Sequence, residues 1–348
     1  MKEADGEGGF VLVATLWFVA LLALVAVIIA GWMSRTLDRA HLLQRRAEAQ
    51  IAEIDAVNRI AYLMTSNYFS VRGLEVLSGS ALAAAGEMIM GGVEPLAGTP
   101  HIALDGRPYR LGNLVLRLQD EHGLYSLNFP TRETLAQLLR TYGIPYDERD
   151  GLTDKLLDYL DKNEFFSRLN GATREEYQRG GRPPPRLGPL LTPWELHRVL
   201  GWGDYGALWR GDAPLPAITT TSDLVGINPN TASAAVLATA GFADDAIARL
   251  LQHRQKYLIE NDQDLELASG QAMPFLPGQF IFFPAPGLRL TLAAADGPEV
   301  RVIALRLTPT GQEPLRIDYS VALPRSGAER DLLARKDLPD LPAAAAGP

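Results

Sequence analysis

Residues 10–33 carry no charge and no proline. About 20 apolar residues in a helix cross the ~30 Å hydrocarbon core of a bilayer, so the run predicts a transmembrane helix. It is longer than the apolar region of a secretory signal, and no small-residue cleavage site ends it. Trp32 sits where an interfacial aromatic anchor would. Residues 35–62 contain neither proline nor glycine. Within them Leu37, Ala40, Leu43, Ala47, Ile51, Ile54, Val57 and Ala61 recur at steps of three and four, which makes one apolar stripe. Arg35, Arg39, Arg45, Arg46, Glu48, Glu53 and Asp55 fall mainly elsewhere. The pattern predicts one helix over 10–62, about 80 Å long at ~1.5 Å per residue. Its first half lies in lipid, and its second half packs its stripe on a globular domain.

Beyond this helix the period changes. Residues 67–100 are small and glycine-rich, with a short helix expected at 76–90. Strands are expected at 107–118 and 124–127, joined by a polar turn at 120–123. Residues 131–142 read as a helix with Thr131 as its N-cap and Gly143 as its stop. Further helices are expected at 152–161 and 193–200. Residues 179–189 (RGGRPPPRLGP) break both periods and form a loop. A helix pair at 230–240 and 244–257 breaks at Gly241. Leu288, Leu290 and Leu292 then alternate with other residues, as do Val300 and Val302. Ile303 interrupts the alternation before Leu305 and Leu307, and it resumes cleanly from Leu315 to Leu323. With turn dipeptides at Asp296–Gly297 and Thr310–Gly311, this predicts an antiparallel meander with one buried face. The polar tail after Pro324 is expected to be disordered.

Composition narrows the function. The 348 residues favour two domains beyond the anchor. The net charge of −8 and pI near 5.3 disfavour phosphate-neutralising nucleic-acid binding. Absent cysteines exclude disulfides, thiolate metal sites and cysteine nucleophiles. The histidines (His41, His101, His122, His197 and His253) are scattered, and no phosphate loop, dinucleotide fingerprint or nucleophile elbow occurs. Trp194, Trp202 and Trp209 fit core or interface anchors better than a ligand box. Residues 226–254 look like a helix–hairpin–helix segment. Its turn, Ala240-Gly-Phe-Ala-Asp-Asp245, presents two acids where DNA-binding versions present backbone amides to phosphate. A membrane-anchored DNA-binding protein or adaptor therefore stays as the alternative reading.

The N-terminus resembles the type IV pilin superfamily. Residues 1–9 form a short hydrophilic leader, Gly9–Phe10 matches the prepilin peptidase junction, and the apolar helix follows at once. The resemblance implies N-methylation of Phe10 and a C-terminal domain outside the cytoplasm. Two features depart from that pattern. The leader is acidic, and Arg35, Arg39, Arg45 and Arg46 follow the span, where the positive-inside rule alone would place cytoplasm. The fifth residue after the junction, Glu in most pilins, is Ala14, and no acid lies between Glu7 and Asp38. A subunit lacking that carboxylate cannot pair with the amine of a subunit ahead of it. It can still offer its own amine behind, which suits a tip position.

Four further segments carry a narrower resemblance. They are Asp120-Glu-His-Gly-Leu-Tyr-Ser-Leu-Asn128, Leu156-Leu-Asp-Tyr-Leu-Asp161, Leu191-Thr-Pro-Trp-Glu-Leu196 with Gly201, and Gly226-Ile-Asn-Pro-Asn-Thr-Ala232, which leads through Val236–Leu237 to 250–254. In order and spacing they resemble the K-type minor pseudopilins of type II secretion systems over roughly residues 9–320. The resemblance implies an α+β, pilin-like fold: a long N-terminal transmembrane helix packed on an antiparallel sheet, with a large inserted all-α domain. The implied division is leader 1–9, membrane helix 10–33, periplasmic helix 34–66, pilin-like part 67–128, helical insert 129–257, pilin-like sheet 258–324 and disordered tail 325–348. It implies a non-enzymatic tip subunit in the inner membrane, single-pass, with its domain in the periplasm. The implied partners are the I- and J-type minor pseudopilins, the major pseudopilin and prepilin peptidase, with no nucleic acid. The family often holds calcium in the helical insert. The matching positions are Asp158, Asp161 and Asn163, with Thr173 where the family tends to have Glu, and with Glu164, Glu175 and Glu176 nearby. A solvated acidic helix end is the competing reading of these residues.

Overall fold

The computed structural model describes residues 8–77, 99–163, 167–211, 213–272, 278–295, 297, 299–309 and 311–342, with side chains from Leu12 onward. Most of the expected helix at 76–90 lies outside them, as do Glu164, Asp296 and Thr310. A single helix, α1 (Gly8–Ser66), runs unbroken through the expected span and beyond it. Nothing in its sequence stops it, since Gly31 is its only interior glycine past the first turn.

The face that α1 buries is not the expected one. Ala49, Ala56, Ile60, Leu63 and Met64 are buried, with Ala52 and Val57 packed beside them. Leu37, Leu43, Ile51 and Ile54 are exposed. At ~100° per residue these two sets lie on roughly opposite sides of the helix. The buried face is alanine-rich because small side chains let the helix axis approach the leucine-covered sheet closely. Glu53 fixes the approach through Arg301, 3.0 Å away.

The sheet has the order β10-β9-β8-β5-β4, all antiparallel. Its strands are β4 (Asp105–Leu111), β5 (Leu114–Asp120), β8 (Gly287–Ala294), β9 (Glu299–Leu307) and β10 (Leu315–Pro324). The single strand expected at 107–118 is thus a hairpin, turning at Gly112–Asn113 between paired Leu111 and Leu114. The C-terminal meander forms, but it is covered on both faces and not on the single face expected. Ile303 breaks the alternation because β9 is central and covered on both faces. Leu290, Leu292, Ile303 and Leu305 meet α1, while Val302 and Ala304 face Tyr319 and Trp194 on the other side. A small second sheet joins β1 (Phe69–Ser70), β2 (Gly73–Glu75) and β3 (His101–Ile102).

The other face of the large sheet carries a helical cluster. The strand expected at 124–127 is β6 (Tyr125–Ser126), which pairs in parallel with β7 (Thr219–Thr220) away from the large sheet. Helix α2 (Arg132–Thr141) starts at Thr131, whose side chain caps Thr134 N–H. Helix α3 (Tyr146–Leu160) begins six residues before the expected start, after Pro145. Helix α4 (Arg174–Arg179) opens on a capping box of Thr173 and Glu176. The expected helix at 193–200 is a 3-10 segment, Pro193–Arg198. The expected pair is shorter at both members, α5 (Ala234–Thr239) and α6 (Asp244–His253).

Two boundaries need correction. The helical cluster does not end at Tyr257: helix α7 (Asp262–Ser269) follows, and Ile259, Leu265, Ala268 and Phe280 join the same core as Trp202 and Leu250. The tail expected to be disordered folds as far as Pro342. Helix α8 (Gly327–Ala334) starts on a capping box of Ser326 and Glu329. The chain then returns to the β4 edge, where Asp340 pairs in parallel with Arg110, and Leu338 and Leu341 are buried.

Candidate functional site

The membrane-length part of α1 lies apart from the rest of the chain. Leu12, Leu16, Trp17, Phe18 and the apolar residues up to Met33 are exposed. This is one helix long and apolar enough to cross a membrane, with mean hydropathy 3.0. Gly9 and Phe10 fall in its first turn, and Ala14 lies one turn further. No carboxylate occurs in α1 before Asp38.

The four sequence segments meet at a polar joint between sheet and helical cluster. Asp120, at the end of β5, is fully buried. Its Oδ1 accepts from the backbone N–H of His122 (3.1 Å) and of Ala285 (2.8 Å). Its Oδ2 accepts from Asn228 Nδ2 (2.9 Å) and Thr231 Oγ1 (2.8 Å). Burial pushes this carboxyl up from its ordinary range, and the bonds from Ala285, Thr231 and His122 hold it back. Gly123 is required beside it, because a Cβ there would sit 2.3 Å from Gln119 Nε2 and 2.8 Å from Thr231 Oγ1. Asn128 clamps two loops: its Nδ2 donates to the carbonyls of Leu190 and Thr221, and its Oδ1 accepts from Leu190 N–H. Tyr159 donates to Glu195, which also accepts from Leu191 N–H and Arg186.

Two sheet arginines complete the joint. Arg289, buried on β8, donates to the carbonyls of Pro216 and Ala217 just before β7 and of Thr219 at its start. Arg306 on β9 meets Asp318 (2.8 Å), Asp223, and buried Glu121 (3.6 Å). Burial pushes the Glu121 carboxyl up. Sequence reading singled out Asp120, Asn128 and Asn228 as motif members without a role, and it missed Arg289 and Arg306. The signal for the arginines was a charge on an inward position of a strand buried on both faces.

The expected calcium positions stand apart from this joint. Asp158 and Asp161 close α3, and Asn163 donates its N–H to Asp161 Oδ1 (2.9 Å). Asp158 is buried, and its oxygens accept from Arg168 Nη1 (2.7 Å), Arg168 N–H and Ser167 Oγ (2.8 Å). Glu176 accepts Thr173 N–H (2.8 Å), so Thr173 works as a helix cap. Glu175 is exposed in the first turn of α4. Among the described residues no three Asp, Glu or His side chains gather as a metal set. The described members of the expected site do not fit calcium, which takes six to eight oxygens.

In the segment that resembles helix–hairpin–helix, two arginines are held by the chain's own acceptors. Arg254 donates to the carbonyls of Pro229 and Ala232, and Arg249 to Asp245 and the Ser269 carbonyl.

The architecture defines the class: an α+β, pilin-like fold whose long apolar helix packs on an antiparallel sheet that also carries a helical insert. One solved structure shares it over nearly its whole length. It is a chain of the GspK–GspI–GspJ complex from the type 2 secretion system of enterotoxigenic Escherichia coli. The TM-score is 0.52 at 14% identity, covering 83% of this chain and 99% of that one. No protein-family profile matches the sequence, and no curated protein matches it.

Proposed function

We propose that this chain is a minor pseudopilin, a non-catalytic, membrane-anchored subunit of a type II secretion pseudopilus. The observation that carries the reading is the two-sided α1. One apolar face is filled by the chain's own sheet. The other, with Leu37, Leu43, Ile51 and Ile54, continues from the membrane-length segment and is left open. Helices of neighbouring subunits are its natural occupants, since an apolar stripe on a helix favours helix packing. The fold shared with a chain of a three-pseudopilin complex supports I- and J-type subunits as those neighbours, with the major pseudopilin below. The helical cluster, set on the opposite sheet face, adds bulk that suits the end of a filament better than its shaft. Ala14 supports the same position, because its methyl cannot take up the amine of a subunit ahead. In this reading prepilin peptidase removes residues 1–9 in the inner membrane and the folded domain stands in the periplasm. The subunit helps start assembly and so supports export of folded proteins.

The test is the mature N-terminus after coexpression with a prepilin peptidase, read by mass spectrometry. Loss of residues 1–9 with a methylated Phe10 is the expected result. An uncut chain would sink the reading and favour a cytoplasm-facing adaptor, in line with the arginines that follow the span.

A further inference from the structure

Asp154, Asp158 and Asp161 follow one another at steps of four and three, so they share one side of α3 and its end. Asp154 and Asp158 are almost fully buried. A buried carboxylate persists as an ion only with a cation or several donors against it. Both are supplied from within the chain. Arg132, from the first turn of α2, meets Asp154 Oδ1, and Asn170 N–H reaches its Oδ2 at 3.2 Å. Arg168 meets Asp158 with its guanidinium at 2.7 Å and with its own backbone N–H at 3.1 and 3.2 Å. The same guanidinium nitrogen stands 3.8 Å from Asp161 Oδ2. Arg168 thus bridges two acids, as a bound metal ion would, and ties the returning loop to the helix end.

Gly171 stands directly against Asp158. A Cβ at Gly171 would fall 1.7 Å from Asp158 Oδ2, so the backbone itself lies against the carboxylate there. Among the described residues, Ser167 Oγ, Arg168 N–H and Nη1, and Asn170 N–H face the pair as donors, the reverse of what a hard divalent cation needs.

We propose that Arg168 is the resident cation of this loop, and that the helical cluster folds and holds its shape without a divalent metal. The inference rests on the local geometry and stands whether or not the chain is a pseudopilin. A guanidinium on the chain cannot be chelated away, so the loop is insensitive to the calcium level outside the cell membrane.

The experiment is thermal unfolding of the full chain in detergent, followed by tryptophan fluorescence, since Trp202 is buried in the cluster. Each protein is melted in excess chelator, in millimolar calcium and in millimolar magnesium. The wild-type melting temperature should be the same in all three. Arg168→Gln should melt several degrees lower in chelator and recover part of that loss in calcium, because it uncovers the acids. Arg168→Lys, which keeps the charge and loses the planar fork, should fall between the two. Saturable stabilisation of the wild type by calcium overturns the proposal. So does an Arg168→Gln chain that melts like the wild type. A variant that melts lower yet gains nothing from either ion makes Arg168 a packing residue only, and also overturns it.

Discussion

Asp120 gathers donors from three separate stretches of chain, two of them more than 100 residues away. Removing it leaves those donors buried without an acceptor, which is costlier than losing the bonds alone. Asp120→Ala is expected to lower stability by about 1–3 kcal/mol, measured by urea unfolding of the full chain. Asn228→Ala removes one donor and should cost a fraction of that, and equal losses would refute the convergent role of the carboxylate. A second residue gives a pH signature. Burial, with Arg72 beside it, holds the His101 imidazole below its ordinary 6.5. The unfolded chain therefore takes up this proton more readily than the folded one. The contribution is present above about pH 6.5 and is lost as pH falls. The raised carboxyls of Asp120 and Glu121 act in the opposite sense, so the readout is a difference. His101→Gln should flatten the fall in melting temperature between about pH 7 and 5 relative to wild type, and an unchanged slope would remove His101 as its source. At this scale the sequence told local stories well and distant ones badly. Thr131 was legible as a cap because its partner lies three residues on. The same rule applied to Thr173–Glu176, Ser326–Glu329 and Asn261–Asp264, whose caps were there to be read. The partners of Asp120 could not be found by any spacing.

The element scale shows what periodicity can and cannot decide. The period of α1 predicted its type and its length to within a few residues. It could not say which side meets the sheet, because hydrophobic strength points to the wrong one. Leu43, Ile51 and Ile54 face out, while Ala49, Ala52 and Ala56 face in ahead of Ile60, Leu63 and Met64. Close helix-to-sheet packing selects small volume, whereas an open stripe keeps its bulk for another partner. The two faces should therefore answer differently to substitution. Ala56→Leu forces volume into a closed contact and should destabilise the isolated chain by about 1–3 kcal/mol. Ile54→Asp should leave its stability within about 0.5 kcal/mol. The same Ile54→Asp should abolish copurification with coexpressed I- and J-type partners. Loss of stability from Ile54→Asp, or full copurification, would mean the outward stripe is not a packing surface. The strands follow the same logic. The interior strand β9 breaks the period because both its faces are covered. In β10 the even alternation hides a change of face: Leu315 packs on the α1 side, and Tyr319, Val321 and Leu323 pack on the other. Its bulge between Ile317 and Tyr319 sets Asp318 toward Arg306.

At the scale of the whole molecule, the sheet is the frame on which everything is hung. One face takes α1, and the other takes the helical cluster and α8. The β4 edge is closed by the last described residues. Arg110 donates its N–H to the Pro339 carbonyl at 2.8 Å, and its own carbonyl accepts Leu341 N–H at 2.8 Å. An uncovered strand edge is a template for pairing with another chain. The tail therefore leaves β10 as the sheet's open edge among the described residues, and so gives the molecule a direction across the sheet. Composition misled here, since 325–348 is polar and ends in a run of alanines. The anchoring Leu338 and Leu341 are two apolar residues among many polar ones, too few to register as a pattern. Stopping the chain after Ala334 removes the strap and keeps α8, whose Glu329 pairs with Arg117 at 3.5 Å. That chain should self-associate in detergent, seen as a larger mass by light scattering, with a modest drop in melting temperature. Stopping after Pro324 also uncovers Arg117 and should melt lower still. If the shorter deletion stays at the wild-type mass, the strap does not guard the edge. Its burial of Leu338 and Leu341 would then be packing alone, and the sheet would be open to partners on both sides.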